Sequence, residues 1–85
     1  MKLHQFKAIY ITQLTLYNPE SNREKELKDL LISKIYNLRT MTLPDLAHTL
    51  YRIIEHENVS ESFKDLCKFM LEDIKKIDEL YSQLN

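Results

Sequence analysis

The chain has 85 residues, 44% of them hydrophobic and 29% charged, with a formal net charge of −1. This length predicts a single domain spanning residues 1–85, and the composition excludes an intrinsically disordered chain. Glycine is absent, which excludes phosphate-binding loops, the dinucleotide-binding fingerprint and the glycine turns of tight β-hairpins.

The first segment, from Leu3 to Tyr17, is compatible with two structures. As a strand, residues 8–17 are rich in β-branched and aromatic side chains. If the segment is a helix, Ile11 points away from its apolar face. That face comprises Leu3, Phe6, Tyr10, Leu14 and Tyr17, flanked by Ile9 and Leu16. We favour the helix, because a lone strand would need a partner from a second copy of the chain.

The second helix is expected from Ser21, which has the spacing of a capping box to Glu24, to about Leu38. Lys34 snorkels at the edge of its apolar face, whose members are Leu27, Leu30, Leu31, Ile35 and Leu38. The third helix is expected from about Leu43 to Glu57, with Pro44 in its first turn. Its apolar stripe consists of Leu43, Leu46, Ala47, Leu50, Ile53 and Ile54, and Tyr51 extends it.

The last helix shows the strongest pattern, starting from a cap at Ser60 or Asn58. Steps of four and three residues define a heptad seam, formed by Phe63, Cys67, Met70, Ile74, Ile77, Tyr81 and Leu84. Further apolar residues are expected to widen this seam into a broad buried face, namely Leu66, Phe69, Leu71 and Leu80.

Asparagine follows each apolar segment, at Asn18, Asn37, Asn58 and Asn85. Because a helix commonly ends with a left-handed residue, which is glycine or otherwise asparagine, these positions predict four helix ends. The short connections between them make neighbouring helices antiparallel. The predicted fold class is all-α, a small antiparallel four-helix bundle.

The sequence also predicts where the protein resides. No stretch approaches the roughly 18 apolar residues that a membrane span requires, and the first residues do not form a signal peptide. The single cysteine, Cys67, cannot form an intramolecular disulfide. We therefore expect a cytoplasmic protein without a membrane span.

Chemistry-bearing residues are sparse. His48 and His56 are eight residues apart, about 12 Å along a helix, too far to share one metal ion. Cys67 lies on the heptad seam, where a small buried residue belongs. The sequence predicts no enzyme activity, no metal and no cofactor.

What remains is binding, and the expected partner is another protein. Tyr36 and Tyr51 flank their apolar stripes, and tyrosine is favoured at protein interfaces. An acidic stretch, Glu55, His56 and Glu57 with Glu61, completes the predicted partner-binding set. The hypothesis is a non-catalytic bundle that acts as a regulator, inhibitor, immunity protein or adaptor. The general layout resembles that of immunity proteins to bacterial peptide toxins, although no motif carries this resemblance.

Two alternatives stay open. A small DNA-binding transcriptional regulator would use the third and fourth helices as a helix-turn-helix, or the basic residues Lys25, Lys28 and Lys34. The acidic turn at residues 55–57 argues against nucleic acid as the partner. A self-assembling structural bundle, or a homodimer, is suggested by the heptad seam.

Overall fold

A computed structural model describes residues 1–77 and shows four α-helices: α1 (Leu3–Leu16), α2 (Asn22–Tyr36), α3 (Leu43–His56) and α4 (Glu61–Ile74). A short 3₁₀ turn, Thr40–Thr42, precedes α3 and was not predicted from the sequence. The all-α prediction is confirmed, and the strand alternative for residues 8–17 is wrong, since this segment lies within α1 and its end. No helix within residues 1–77 is long and apolar enough to cross a bilayer.

Hydrogen bonds and ion pairs fix the order of the helices around the bundle. Arg23 at the start of α2 pairs with Glu57 just after α3, and Lys34 at the end of α2 pairs with Asp45 at the start of α3. The amino terminus of Met1 donates to the carbonyl of Lys76 beyond the end of α4. α2 and α3 are therefore antiparallel, and so are α1 and α4, which closes the bundle.

All four helices contribute to one hydrophobic core. The heptad seam of α4 faces the inside of the same chain as far as the structure describes it, because Phe63, Cys67, Met70, Ile74 and Ile77 are all buried. The predicted seam positions Tyr81 and Leu84, and Leu80 beside them, lie outside the described residues. The α-helix ends at Ile74 and closes with tighter i,i+3 hydrogen bonds. The remaining core residues are Phe6, Tyr10, Leu14, Leu27, Leu31, Ile35, Leu38, Leu43, Leu46, Leu50, Ile53, Leu66 and Leu71.

Several apolar residues do not lie where the periodicity placed them. Phe69 was expected in the broad buried face of α4 but is 65% exposed, because two residues beyond Cys67 it points about 200° further around the helix. Leu16, a flanking residue in the prediction, is 74% exposed, and Leu30 is also exposed. Ile11, expected to point away, packs partly against the core.

The helices do not end on left-handed asparagines. No residue of the described chain has a positive φ. Of the predicted asparagine ends, Asn37 occupies a C-cap, with φ of −95°, Asn18 and Asn58 do not, and Asn85 lies outside the described residues. Tyr17 and Glu57 cap α1 and α3 in extended conformations. The left-handed conformation is costly for any residue with a Cβ, so the chain leaves α1 and α3 through extended backbone, whereas α2 and α4 end on caps with negative φ outside the extended region.

Lysines from neighbouring segments supply donors at two of these ends. Lys28 Nζ donates to the carbonyls of Thr15 and Tyr17, at 3.3 and 2.8 Å, where α1 ends. Lys7 Nζ donates to the carbonyl of Leu38, just beyond α2. A cation at a helix C-terminus also complements the macrodipole, so these lysines take over part of the role that a glycine cap usually fills.

Candidate functional site

A buried carboxylate joins three segments at one end of the bundle. Glu24 is only 2% exposed, and its carboxylate accepts hydrogen bonds from the hydroxyl of Tyr17 (2.6 Å), the backbone N–H of Ser60 (2.8 Å) and that of Glu20 (3.3 Å). The backbone N–H of Glu24 donates to Ser21 Oγ, as the capping-box spacing predicted. Glu24 thus ties the end of α1 and the start of α2 to the start of α4.

The surroundings of Glu24 keep it ionised. Burial raises the pKa of this carboxyl, but the hydrogen bonds from Tyr17, Ser60 and Glu20 together outweigh burial and hold the pKa below its ordinary value. Burial and the bond to Glu24 raise the pKa of the Tyr17 phenol. Since that phenol gives its one proton to Glu24, the hydroxyl of Ser60, 3.0 Å away, is the donor in its hydrogen bond to the Tyr17 oxygen.

A second tyrosine ties α1 to α4 two turns away. Tyr10 is buried, and its hydroxyl donates to Asp73 Oδ2 at 2.5 Å. Burial, followed by the hydrogen bond to Asp73, raises the pKa of the phenol, so it remains a neutral donor at physiological pH. Tyr10 and Tyr17 therefore fasten α1 to α4 at two points seven residues apart on α1.

An open apolar groove lies between α1 and α4, and we call it the α1–α4 groove. Its volume is about 470 Å³, and its lining residues are Gln13, Leu16, Tyr17, Ser62, Asp65, Leu66 and Phe69. Leu16 stands on the α1 side and Phe69 on the α4 side, both mostly exposed to solvent. Because Tyr17 is fixed by Glu24 and by a ring contact with Phe63 at 5.3 Å, the wall of the groove is rigid at that end.

The partner-binding residues predicted from the sequence do not form one patch. Arg23 brings the start of α2 against Glu57, whereas Tyr36 lies 13 residues further along, about 20 Å away along the helix. Tyr36 is 70% exposed, and Glu55, His56 and Glu61 are exposed as well. Glu57 is partly buried and pairs with both the Nε and Nη2 atoms of Arg23, at 2.9 and 2.7 Å, which lowers its pKa.

Two members of that predicted set do share a surface. Tyr51, 47% exposed, and Glu55 line a smaller groove of about 270 Å³ between α3 and α4. The other lining residues are Ile54, Lys68, Leu71, Glu72 and Lys75. This α3–α4 groove carries charges of both signs and lies on the opposite side of α4 from Phe69.

The candidate catalytic and metal-binding residues remain apart from one another. Cys67 is fully buried, and burial raises the pKa of its thiol to about 12. His48 and His56 are exposed on α3. Among residues 1–77, no group of three or more metal-ligating side chains converges on one point.

Sequence reasoning missed the α1–α4 groove. Leu16 and Phe69 were assigned to apolar faces, and Glu24 was interpreted only as a capping residue. A strict angular count around α4 would have placed Phe69 outside the core. No sequence signal, however, indicates that α1 and α4 separate at this point, because that depends on the tertiary contacts of Tyr10 and Tyr17.

The fold and this surface define the class of protein: a small all-α four-helix bundle with an exposed apolar groove along one side. No protein-family model, curated protein or solved structure matches the chain.

Proposed function

We propose that this chain is a small non-catalytic, protein-binding helical bundle that acts in the cytoplasm as a regulator, inhibitor, immunity protein or adaptor of a partner protein. The observation that supports this is the α1–α4 groove, where two large apolar side chains, Leu16 and Phe69, are exposed side by side. Contiguous exposed apolar surface on a small domain is typical of an interaction site, whereas scattered apolar residues are ordinary.

The two alternative functions receive less support. Of the basic residues considered for DNA, Lys28 caps α1 and Lys34 pairs with Asp45, so both ammonium groups have partners within the chain that a phosphate contact would have to replace. The heptad seam suggested for self-assembly is used inside the chain as far as Ile77. The predicted set of Tyr36, Tyr51, Glu55, His56, Glu57 and Glu61 stays a prediction for a second contact surface.

A site-specific photocrosslinker tests the proposal directly. The chain, expressed in its source cell, would carry benzoyl-phenylalanine in place of Phe69 and, in a matched control, in place of Met41, which is exposed but far from the groove. We expect a discrete protein adduct from position 69, identifiable by mass spectrometry, and none from position 41. The absence of any protein adduct at position 69, or equal adducts from both positions, would refute the proposal.

A further inference from the structure

The α1–α4 groove has a charge pattern that specifies its partner more closely. Among its lining residues in the described chain, Asp65 is the only charged side chain, and it forms no ion pair within residues 1–77. Glu61, one turn earlier on α4, is also exposed and unpaired within these residues. Among the lining residues, Asp65 therefore supplies the only formal charge, and no lining residue in the described part of the chain supplies a cation to pair with it.

The helix dipole explains one of these acids but not the other. Glu61 is in the first turn of α4, where a carboxylate stabilises the helix N-terminus. Asp65 lies a further turn along, and the favourable effect of the dipole is confined to the first turn. The side chain of Asp65 makes no hydrogen bond or ion pair within residues 1–77, and it lies one turn from Phe69, at the edge of the apolar surface.

We infer that the α1–α4 groove binds an amphipathic helix of a partner protein, with an apolar anchor between Leu16 and Phe69 and a lysine or arginine facing Asp65. This inference rests on the proposed function and specifies the partner for the same site. A groove between two helices is the usual receptor for such a helix. Phe69 and Asp65 are four residues apart, so the cation lies three or four residues from the anchor on the docked helix.

The same charge argues against a second copy of the chain as the occupant. In a two-fold dimer the same surface meets itself. Both copies would then contribute Asp65 with the neutral residues Gln13 and Ser62, and neither would contribute a cation. The desolvated carboxylates would stay unpaired, which is unfavourable.

The size of the groove matches a short stretch of helix. From Ser62 to Phe69 the α4 wall is about 10 Å long, or two helical turns. An anchor and a cation one turn apart fit within this length, and both lie on one face of the docked helix.

A displayed library of single-helix peptides, selected on the purified full-length chain, tests the inference without knowledge of the natural partner. Three baits are used: wild type, Asp65→Lys, and the double variant Leu16→Ser/Phe69→Ser. We expect the wild type to enrich apolar anchors with lysine or arginine three or four residues away, and Asp65→Lys to enrich aspartate or glutamate at the same spacing. A peptide selected on the wild type should bind Asp65→Lys about fivefold more weakly and the double variant at least about tenfold more weakly.

Asp29→Lys serves as the matched control, because Asp29 is an exposed acid on α2, outside the groove. It should leave peptide affinity within about twofold of wild type, as expected for a charge remote from the interface. Circular dichroism confirms that each bait is folded, which the exposure of all four substituted positions leads us to expect.

Three results would overturn the inference. One is enrichment on the wild type without a basic preference, and another is selected peptides that still bind the double variant. The third is wild-type protein that sediments as a dimer and becomes monomeric on Phe69→Ser, which assigns the groove to a second copy. If position 69 still crosslinks to a different protein in the cell while the library shows no basic preference, the partner chemistry is wrong and the proposed function stands.

Discussion

At the scale of single residues, Glu24 shows how a charge can be kept inside a small bundle. An ionised carboxylate is costly to bury unless hydrogen bonds replace its water. Here the donors come from Tyr17, Ser60 and Glu20, and no buried polar side-chain atom in the described chain lacks a partner. Because these donors come from separate segments, the carboxylate can hold them together only in the folded chain.

Replacing Glu24 with glutamine should therefore weaken the fold in a pH-dependent way. The substitution keeps the shape but removes the charge and offers an amide donor where only acceptors are needed, at a cost of about 2 kcal/mol. The folded-state pKa of Glu24 is lowered, so its stabilisation is fully present above the ordinary glutamate pKa and is lost as pH falls through the folded value. Urea unfolding between pH 7 and pH 3 should show that the wild type is more stable than Glu24→Gln at pH 7 and that this difference in unfolding free energy shrinks as the pH falls.

The control for this series is Glu26→Gln, an exposed glutamate on the same helix that pairs with Arg23 at the surface. Its unfolding midpoint should stay close to that of the wild type at every pH, as surface pairs contribute little. If the difference in unfolding free energy between wild type and Glu24→Gln were constant from pH 7 to pH 3, the assignment of an ionised, hydrogen-bonded carboxylate would be contradicted.

Cys67 should behave as a packing residue and not as a reactive thiol. Its pKa of about 12 and its full burial leave roughly a thousandfold less thiolate than a free cysteine at neutral pH, and the thiolate is the reactive form. The native protein should react with an aromatic disulfide reagent only as fast as it unfolds. The control is the double variant Cys67→Ala/Ser33→Cys, whose only thiol lies on the exposed face of α2 and should react at once. Rapid modification of Cys67 in the native protein would disprove its burial.

At the scale of the helices, the starts were more predictable than the ends. Ser21 and Ser60 cap α2 and α4 through bonds to backbone N–H groups three residues on, and this local pattern is readable from sequence. The ends instead depend on Lys28 and Lys7, which reach carbonyls 11 to 31 residues away in sequence. Periodicity also identified most of the core, and a strict angular count would have placed Phe69 outside it, whereas the opening of a groove between α1 and α4 beside Leu16 and Phe69 depends on how the helices pack together.

Lys28→Met tests the lysine cap of α1. Methionine keeps much of the apolar stem but removes the ammonium donor from the Thr15 and Tyr17 carbonyls, so we expect a loss of about 1 kcal/mol. Amide exchange should accelerate in the last turn of α1 before it does elsewhere. Lys25→Met, at an exposed position on the same helix, should change neither the unfolding free energy nor the exchange rate at the end of α1. Equal effects from the two substitutions would show that Lys28 does not cap α1.

At the scale of the whole molecule, the bundle keeps two large apolar side chains of the groove, Leu16 and Phe69, outside the core, while other lining residues, Tyr17 and Leu66, also stabilise the fold. Tyr10 and Tyr17 fasten α1 to α4 through Asp73 and the Glu24 cluster, and the α1–α4 groove lies between these two ties. Such an arrangement lets the groove stay open without loss of the core. It also predicts that the exposed side chains of this surface, Leu16 and Phe69, contribute little to the stability of the fold.

Two phenylalanines on α4 allow a core side chain to be compared with an exposed one, since Phe63 is fully buried and Phe69 is 65% exposed. Phe63→Ala should cost about 3–5 kcal/mol, comparable to the whole stability of a small domain, and the milder Phe63→Leu keeps the comparison measurable if that variant does not fold. Phe69→Ala should change the unfolding free energy by no more than about 0.5 kcal/mol while it weakens partner binding. Denaturant unfolding of the three variants measures these differences in unfolding free energy.

If Phe69→Ala were as destabilising as the Phe63 substitutions, the ring would be part of the core and the groove could not be a free binding surface. If Phe69→Ala instead leaves the unfolding free energy unchanged and abolishes partner binding, Phe69 is a binding residue that the fold keeps exposed to solvent.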